Sequence, residues 1–248
     1  YVGHPFFDEL ISHQPDKTFI STLQNGKGPL VTILPGSRTQ EVETQLPWFL
    51  KSVELIQQQV PNVRFAVAAF KDSQAEFARN TIAKAGVDVE VYTQRTPELM
   101  QAADCCMACS GSVSLELMYH KKPTVVLYHM SKLLYLYAKC MVNVRYMTLV
   151  NLIASSRPFE RHKGSWHPDN PDCEDIPMPE YPTHTDKSAE IAGHVIQWLS
   201  DSQRYDESVS RLTTLSERYG HPGASKRAAV FILESLTGKS FISKKSAA

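Results

Sequence analysis

Between Leu30 and Tyr128 short apolar runs alternate with stretches of helical spacing, and this alternation limits the possible folds more than any other feature of the chain. The apolar runs are Leu30–Leu34, Val63–Phe70, Val87–Tyr92, Asp104–Ala108 and Pro123–Tyr128. After the first run, Leu46, Phe49, Leu50, Val53 and Ile56 recur by three and four, which makes one face of a helix. Ser73–Ala85, closed by Gly86, Thr96–Ala102 and Ser112–His120 read as the next helices. Strands separated by helices return the chain to the same end of a sheet, so neighbouring strands run parallel and helices cover both faces. The spacing predicts an α/β domain with a Rossmann-like parallel sheet and flanking helices. Pro47, inside the first helical pattern, is expected to kink that helix or to mark its start.

The character changes after residue 130. Ser131–Val142 is helical and rich in Leu, Tyr and Lys. Arg157–Thr185 is polar and proline-rich without a period, and reads as a long surface loop, an insertion over about 155–185. Ala189–Leu199, Ser202–Tyr219 and Ala224–Leu236 read as C-terminal helices. The expectation is one nucleotide-binding domain over 1–236, followed by a polar, basic, disordered tail over 237–248.

Composition narrows the function classes. With 42% hydrophobic and 21% charged residues the chain has the make-up of a packed globular protein and not of a disordered one. Lys+Arg and Asp+Glu are both 26, so no global charge draws the chain to nucleic acid. No apolar run approaches the roughly 18 residues of a membrane span. The start, Tyr1-Val2-Gly3-His4-Pro5, has no basic segment leading into an apolar one, so no signal peptide is expected and the chain reads as the later part of something longer. Five cysteines in so long a chain do not make a disulfide framework, which points to the cytoplasm.

Two strand-to-helix turns carry the chemistry. Leu34-Pro35-Gly36-Ser37-Arg38 follows the first strand. In a doubly wound sheet the ligand crevice lies outside the carboxyl ends of the strands. Gly36 lets the backbone come close to a phosphate, the free N–H groups of the next helix favour an anion, and Arg38 adds a charged fork. The plain alternative is a turn with a surface arginine. Cys109-Ser110-Gly111-Ser112-Val113-Ser114-Leu115-Glu116 follows the fourth strand. Ser110 to Ser112 offer hydroxyl and backbone donors for a diphosphate, and Glu116 could accept ribose hydroxyls. The alternative is capping, with Ser112 as N-cap and Glu116 as a first-turn carboxylate.

Gly3-His4-Pro5, Leu34-Pro35-Gly36-Ser37-Arg38 with Glu41 and Val42, Ser110-Gly111-Ser112 with Leu115-Glu116, and Leu149-Val150-Asn151-Leu152-Ile153-Ala154 resemble, in order and spacing, lipid-A-disaccharide synthase. The resemblance is close over residues 1 to about 154 and looser over about 178–236, where Pro179-Glu180 and the last helices are similar to the family's ending. It implies the C-terminal half of a glycosyltransferase-B fold, two Rossmann-like domains facing a cleft. It also implies an inverting transfer from UDP-2,3-diacylglucosamine to 2,3-diacylglucosamine 1-phosphate, releasing UDP, with neither cofactor nor metal. By the same resemblance Arg38 is the arginine needed for activity, Ser110, Gly111 and Ser112 match the phosphate-facing turn, Glu116 binds the nucleoside, and Asn151 belongs to the Leu-x-Asn-Leu segment; Gly36, Ser37 and Asn151 are counted with them as substrate- or nucleotide-binding residues. The base for the attacking hydroxyl is a carboxylate of the family's N-terminal acceptor domain, which this chain is expected to lack. Alternatives on the same fold are another UDP-sugar transferase or a UDP-N-acetylglucosamine epimerase. A non-catalytic nucleotide-binding module is a third.

From Leu117 to Phe159 there is no Asp or Glu, while Lys121, Lys122, Lys132, Lys139, Arg145 and Arg157 are interleaved with Leu, Tyr and Met. Such a stretch suits an anionic membrane surface and a peripheral place on the inner membrane. The opposing expectation is a helix packed in the core with solvated lysines. Cys105, Cys106 and Cys109 read as core thiols, since no second Cys or His cluster stands at zinc spacing. His162, His167 and Cys173 form a weak candidate metal set, His129 follows a strand near the cleft mouth, and Lys239, Lys244 and Lys245 read as a solvated tail. A homodimer by exchange of C-terminal segments is compatible with the sequence.

Overall fold

The structure is a computed structural model and describes residues 2–160 and 176–238. Two compact units divide the chain: residues 15–213, and the described ends 2–14 with 214–238. In the unit of the two ends, α1 (Phe6–Ser12) and α11 (Ala224–Thr237) are tied together by Asp8. Its carboxylate accepts the N–H of Gly223 and, at 2.8 Å, that of Ser225, capping the start of α11. These hydrogen bonds, Ser225 foremost, pull the Asp8 carboxyl down to about 2. Gly3 has φ +95°, and a Cβ there would stand 2.7 Å from the Arg227 guanidinium and 3.2 Å from Ala224 Cβ, so the Gly3-His4-Pro5 motif crosses α11 where only glycine fits.

The larger unit holds β1 (Leu30–Leu34), β2 (Arg64–Ala69), β3 (Glu90–Thr93), β4 (Cys105–Cys109), β5 (Thr124–His129) and β6 (Glu180–Thr183) in one sheet. All five pairings are parallel and the order is β3-β2-β1-β4-β5-β6. Every residue of β1 and of β4 is buried, as a parallel strand covered on both faces requires. The helices of this unit are α2 (Lys17–Gln24), α3 (Thr39–Gln59), α4 (Asp72–Ala85), α5 (Thr96–Ala102), α6 (Val113–Tyr119), α7 (Lys132–Met141), α8 (Leu149–Ala154), α9 (Ser188–Ser200) and α10 (Ser202–Tyr219) up to Thr213.

The apolar stripe read from the sequence is the inner face of α3: Leu46, Phe49, Leu50, Val53 and Ile56 are all buried. They join Val31, Ile33, Val67, Met107 and Leu127 of the sheet, and Val195 and Trp198 of α9, in one core. α3 and α9 are also joined through hydroxyls, Ser52 Oγ to Ser188 O at 3.0 Å and Ser188 Oγ to Trp48 O at 3.1 Å. Pro47 does not mark the start of α3: it lies inside the helix, which runs from Thr39 to Gln59. Gly86 closes α4 in the left-handed conformation, φ 70°, as a C-terminal glycine should.

The loop expected over about 155–185 is corrected at its far end. Ile176 to Tyr181 are buried and β6 completes the sheet beside β5. β6 is an edge strand, so Pro182, which has no N–H to give, costs the ladder nothing on its open side. The candidate set His162, His167 and Cys173 lies outside the described residues, as do Lys239, Lys244 and Lys245 of the tail. The packed-core expectation for 131–142 is also corrected: α7 has no buried residue.

Candidate functional site

The sheet order places the site. The chain steps outward from β1 to β3 and returns to the other side of β1 for β4, so the crossovers diverge between β1 and β4. That is the switch point at which a doubly wound sheet opens a crevice. Leu34 and Ala108 are register partners, so the turns that leave β1 and β4 emerge side by side. They are Pro35–Arg38 and Ser110–Ser112, the two turns singled out in the sequence.

In the first turn Gly36 has φ +128°, and Ser37 and Arg38 are exposed. Glu41, one turn into α3, accepts the N–H of Ser37 at 3.1 Å and of Arg38 at 3.2 Å through Oε2. Its Oε1 pairs with Arg38 Nη1 at 3.0 Å. The start of α3 is thus closed by an internal carboxylate, while the Arg38 side chain remains 82% exposed beside the crevice. In the second turn Gly111 and Ser112 are exposed and Ser110 is half-buried. Ser112 is the N-cap of α6, yet its side chain makes no capping hydrogen bond. The Ser114 hydroxyl, buried, donates to Gly111 O at 2.9 Å and holds the turn instead. Glu116 is half-buried on α6. At the end of β4, burial pushes the Cys109 thiol up to about 12; the Glu41 charge adds to that and Arg38 opposes it.

Asn151 stands apart from this group. It is fully buried on α8, donates to Met178 O at 2.7 Å and to Glu180 Oε2 at 2.9 Å, and accepts from Met178 N at 3.1 Å. Both amide hydrogens are used within the fold, so its task here is to anchor β6. Glu180 also accepts from Met147 N at 2.6 Å, Thr148 N at 2.9 Å and Thr148 Oγ1 at 2.6 Å. Burial pushes its carboxyl above the usual range, and the four donated hydrogen bonds pull against that.

Two buried glutamines escaped the sequence reading. Gln74 Nε2 donates to Ser37 O at 3.0 Å, and its Oε1 accepts from Phe70 N at 3.1 Å and Lys71 N at 3.3 Å, so the turn after β2 supports the turn after β1. Gln45 clasps the backbone of His129 in both directions, at 2.9 and 2.7 Å, and the His129 ring stacks on Trp48 at 4.5 Å. His129 is therefore the last residue of β5 and does not follow the strand. The available signal was a polar residue on an apolar stripe: Gln45 lies between Val42 and Leu46 on the buried face of α3. Cys105, Cys106 and Cys109 are core thiols, and burial raises all three.

The model of the family described as lipid-A-disaccharide synthetase matches residues 1–164, the span that contains both turns. The chain belongs to the lipid-A-disaccharide synthetase family. Its curated relatives include the lipid-A-disaccharide synthases of Trichlorobacter lovleyi, 28% identical over 94% of this chain and 56% of that protein, and of Alkalilimnicola ehrlichii, 32% identical over 68% of this chain and 46% of that protein. The chain spans about half the length of these relatives. Among solved structures, a Listeria monocytogenes protein described as a UDP-N-acetylglucosamine 2-epimerase matches 98% of the chain and 55% of its own, with TM-score 0.59 and 10% identity. The C-terminal domain of a group 1 glycosyl transferase of Francisella tularensis matches 82% of the chain and 93% of its own, with TM-score 0.51 and 13% identity. At these identities the likeness concerns the fold, and it matches the parallel α/β sheet described above.

Proposed function

We propose that this chain is the donor-binding part of an inverting glycosyltransferase of lipid A synthesis, which takes UDP-2,3-diacylglucosamine and 2,3-diacylglucosamine 1-phosphate and releases UDP. The observation that carries this reading is the pairing of the Pro35–Arg38 and Ser110–Ser112 turns at the β1/β4 switch point of a family member. S. aureus MnaA, whose structure was solved with UDP, shares the fold with TM-score 0.53 at 12% identity.

In this reading the diphosphate lies across the two turns. Gly36 and Gly111 keep side chains out of its path, Ser110 and Ser112 offer hydroxyls, and Glu116 accepts from the ribose. Gly111 supports this in a specific way. Its φ is ordinary, and a Cβ built on it meets nothing within 4 Å, so the fold itself does not require glycine there. Displacement at the anomeric carbon builds negative charge on the departing UDP. Arg38, exposed and anchored at one end by Glu41, can swing its guanidinium onto that charge, an effect worth about 3–4 kcal/mol for one well-placed donor. The base that takes the proton of the attacking hydroxyl belongs, in this reading, to the other half of the enzyme. In this reading the acyl chains of both substrates put the work at a membrane surface, and the cytoplasmic face of the inner membrane is the place proposed for it. Among the described residues no helix is long and apolar enough to cross a membrane.

Calorimetric titration of UDP into the chain, beside Arg38→Ala and Glu116→Ala, tests the site. Binding that both substitutions weaken, with circular dichroism unchanged, is the expected result. Binding untouched by either would move the nucleotide elsewhere.

A further inference from the structure

α7 wears its apolar face outward. None of its ten residues is buried, and Leu133, Tyr137 and Met141 are 82, 62 and 61% exposed. With each residue turning by about 100° along a helix, Leu136, Cys140, Leu133, Tyr137, Met141 and Leu134 fill one continuous arc. Lys132 and Lys139, seven residues apart, share one margin of that arc. Only Tyr135 and Ala138 are half-buried, on the opposite side, where the Tyr135 ring lies 4.7 Å from that of His184. A surface helix of a globular protein turns such a stripe inward; here the stripe is left to whatever lies outside.

Charge says what that is. No acidic residue occurs from Leu117 to Phe159, and both exposed lysines of α7 sit on the edge of the apolar arc. Lysine stems can lie along an apolar surface and lift their ammonium groups to its margin, and tyrosine favours the boundary between water and hydrocarbon. Apolar centre, tyrosine and lysine margin together match a lipid surface that carries negative head groups.

We propose that α7 is a docking helix for anionic phospholipid bilayers, lying in the plane of the surface with its Leu/Tyr/Met arc immersed and Lys132 and Lys139 at the head groups. Two residues separate the end of β5 from the start of α7, so α7 stands at the same carboxyl edge of the sheet as the two turns of the candidate site. Docking there would bring that edge to the lipid. Only this consequence rests on the donor-site reading; the docking itself stands on the helix.

The test uses the chain with Cys173→Ser, labelled on exposed Cys140 with an environment-sensitive fluorophore. It is mixed with vesicles of phosphatidylglycerol and phosphatidylethanolamine, or of phosphatidylcholine alone, and floated. The expected result is flotation and a blue shift with the anionic vesicles, weakened by salt. Lys132→Glu/Lys139→Glu and Leu133→Gln/Tyr137→Gln, each unlabelled and checked by circular dichroism, should each lose roughly ten-fold in vesicle affinity. UDP titration of the same variants should match that of the parent chain, which separates this proposal from the donor site: loss of UDP binding in the parent chain would count against the site and leave the vesicle result standing. Absent flotation of the parent chain overturns the proposal, as does equal flotation of all variants. Self-association that Leu133→Gln/Tyr137→Gln abolishes, without vesicle binding, would give the face to a second copy and overturn it too.

Discussion

Glu41 holds Arg38 twice, accepting its backbone N–H at 3.2 Å and its guanidinium at 3.0 Å. The two bonds differ in worth. The carboxylate is 16% exposed and caps α3, whereas the guanidinium is 82% exposed and its ion pair is open to water and salt. A cap is worth about 1 kcal/mol and an exposed ion pair about 0.5 kcal/mol or less. Glu41→Ala should therefore cost about 1 kcal/mol in urea denaturation, and Arg38→Ala about half of that or less. Equal losses would mean that the ion pair, not the cap, shapes the turn. The same comparison bears on catalysis, because an arginine that contributes little to stability is free to move onto a substrate charge.

The two glycines of the site should part company. Gly36 sits at φ +128°, and a Cβ there would stand 2.5 Å from Glu41 Cβ. Gly36→Ala strains the backbone and displaces the cap, at a cost of about 2 kcal/mol. Gly111→Ala should change stability by no more than about 0.5 kcal/mol, because nothing lies within 4 Å of the new methyl group. It should nevertheless lower UDP affinity about ten-fold if a diphosphate passes close to that backbone. A Gly111→Ala chain that binds UDP like the parent would remove the second turn from the site.

How far the sequence carries the fold can be judged on particular residues. β1, β2, β4 and β5 announce themselves because a parallel strand buried on both faces is an almost unbroken apolar run, β3, an edge strand with no buried residue, shows only a short alternating pattern, and α3 announces itself through its stripe from Leu46 to Ile56. β6 does not, because Glu-Tyr-Pro-Thr contains a carboxylate and a proline, and both make sense only in place: the carboxylate has four donors waiting, and the proline lies on the sheet's outer edge. The paired turns were legible as two separate motifs. That they are neighbours follows from the β1/β4 pairing, which no local pattern states. Asn151 shows the reverse. Its segment was recognisable, but the use of its amide inside the core depends on Met178 and Glu180, 27 and 29 positions away.

That buried pair can be tested by a double-mutant cycle. Removing Glu180 leaves four donors without an acceptor on the backbone and side chains of 147–151, and removing Asn151 leaves Glu180 short of one partner and frees the backbone of Met178. Each Ala substitution should cost about 2–4 kcal/mol. The double variant should cost clearly less than the two singles together, by about 1 kcal/mol or more, since the second loss removes groups already orphaned by the first. Strict additivity in chemical denaturation would show that the two residues act independently.

A pH dependence of stability should come from His194. Its Nε2 lies 2.8 Å from the Tyr181 hydroxyl and its ring is tilted against Trp198 at 5.9 Å, so the last strand and α9 meet around it. Burial pushes the imidazole down from 6.5 to about 4. The unfolded chain therefore takes up a proton at a pH where the folded chain still refuses it. The stability contribution of the neutral ring is complete above pH 6.5, declines as the pH falls through the interval down to about 4, and is gone below that. Its full size is on the order of 3 kcal/mol. His120, pushed down to about 4 by burial and by Lys122, acts in the same direction, so the whole chain loses stability over this interval even without His194. The informative quantity is the difference between parent and His194→Gln. Urea unfolding at a series of pH values from 7 to 4.5 should show the two curves converging as the pH falls, because only the parent loses the contribution of a ring that must stay uncharged. A gap that stays constant over that range would mean that the imidazole titrates freely in the folded chain, and that its contact with Tyr181 does not depend on the neutral form.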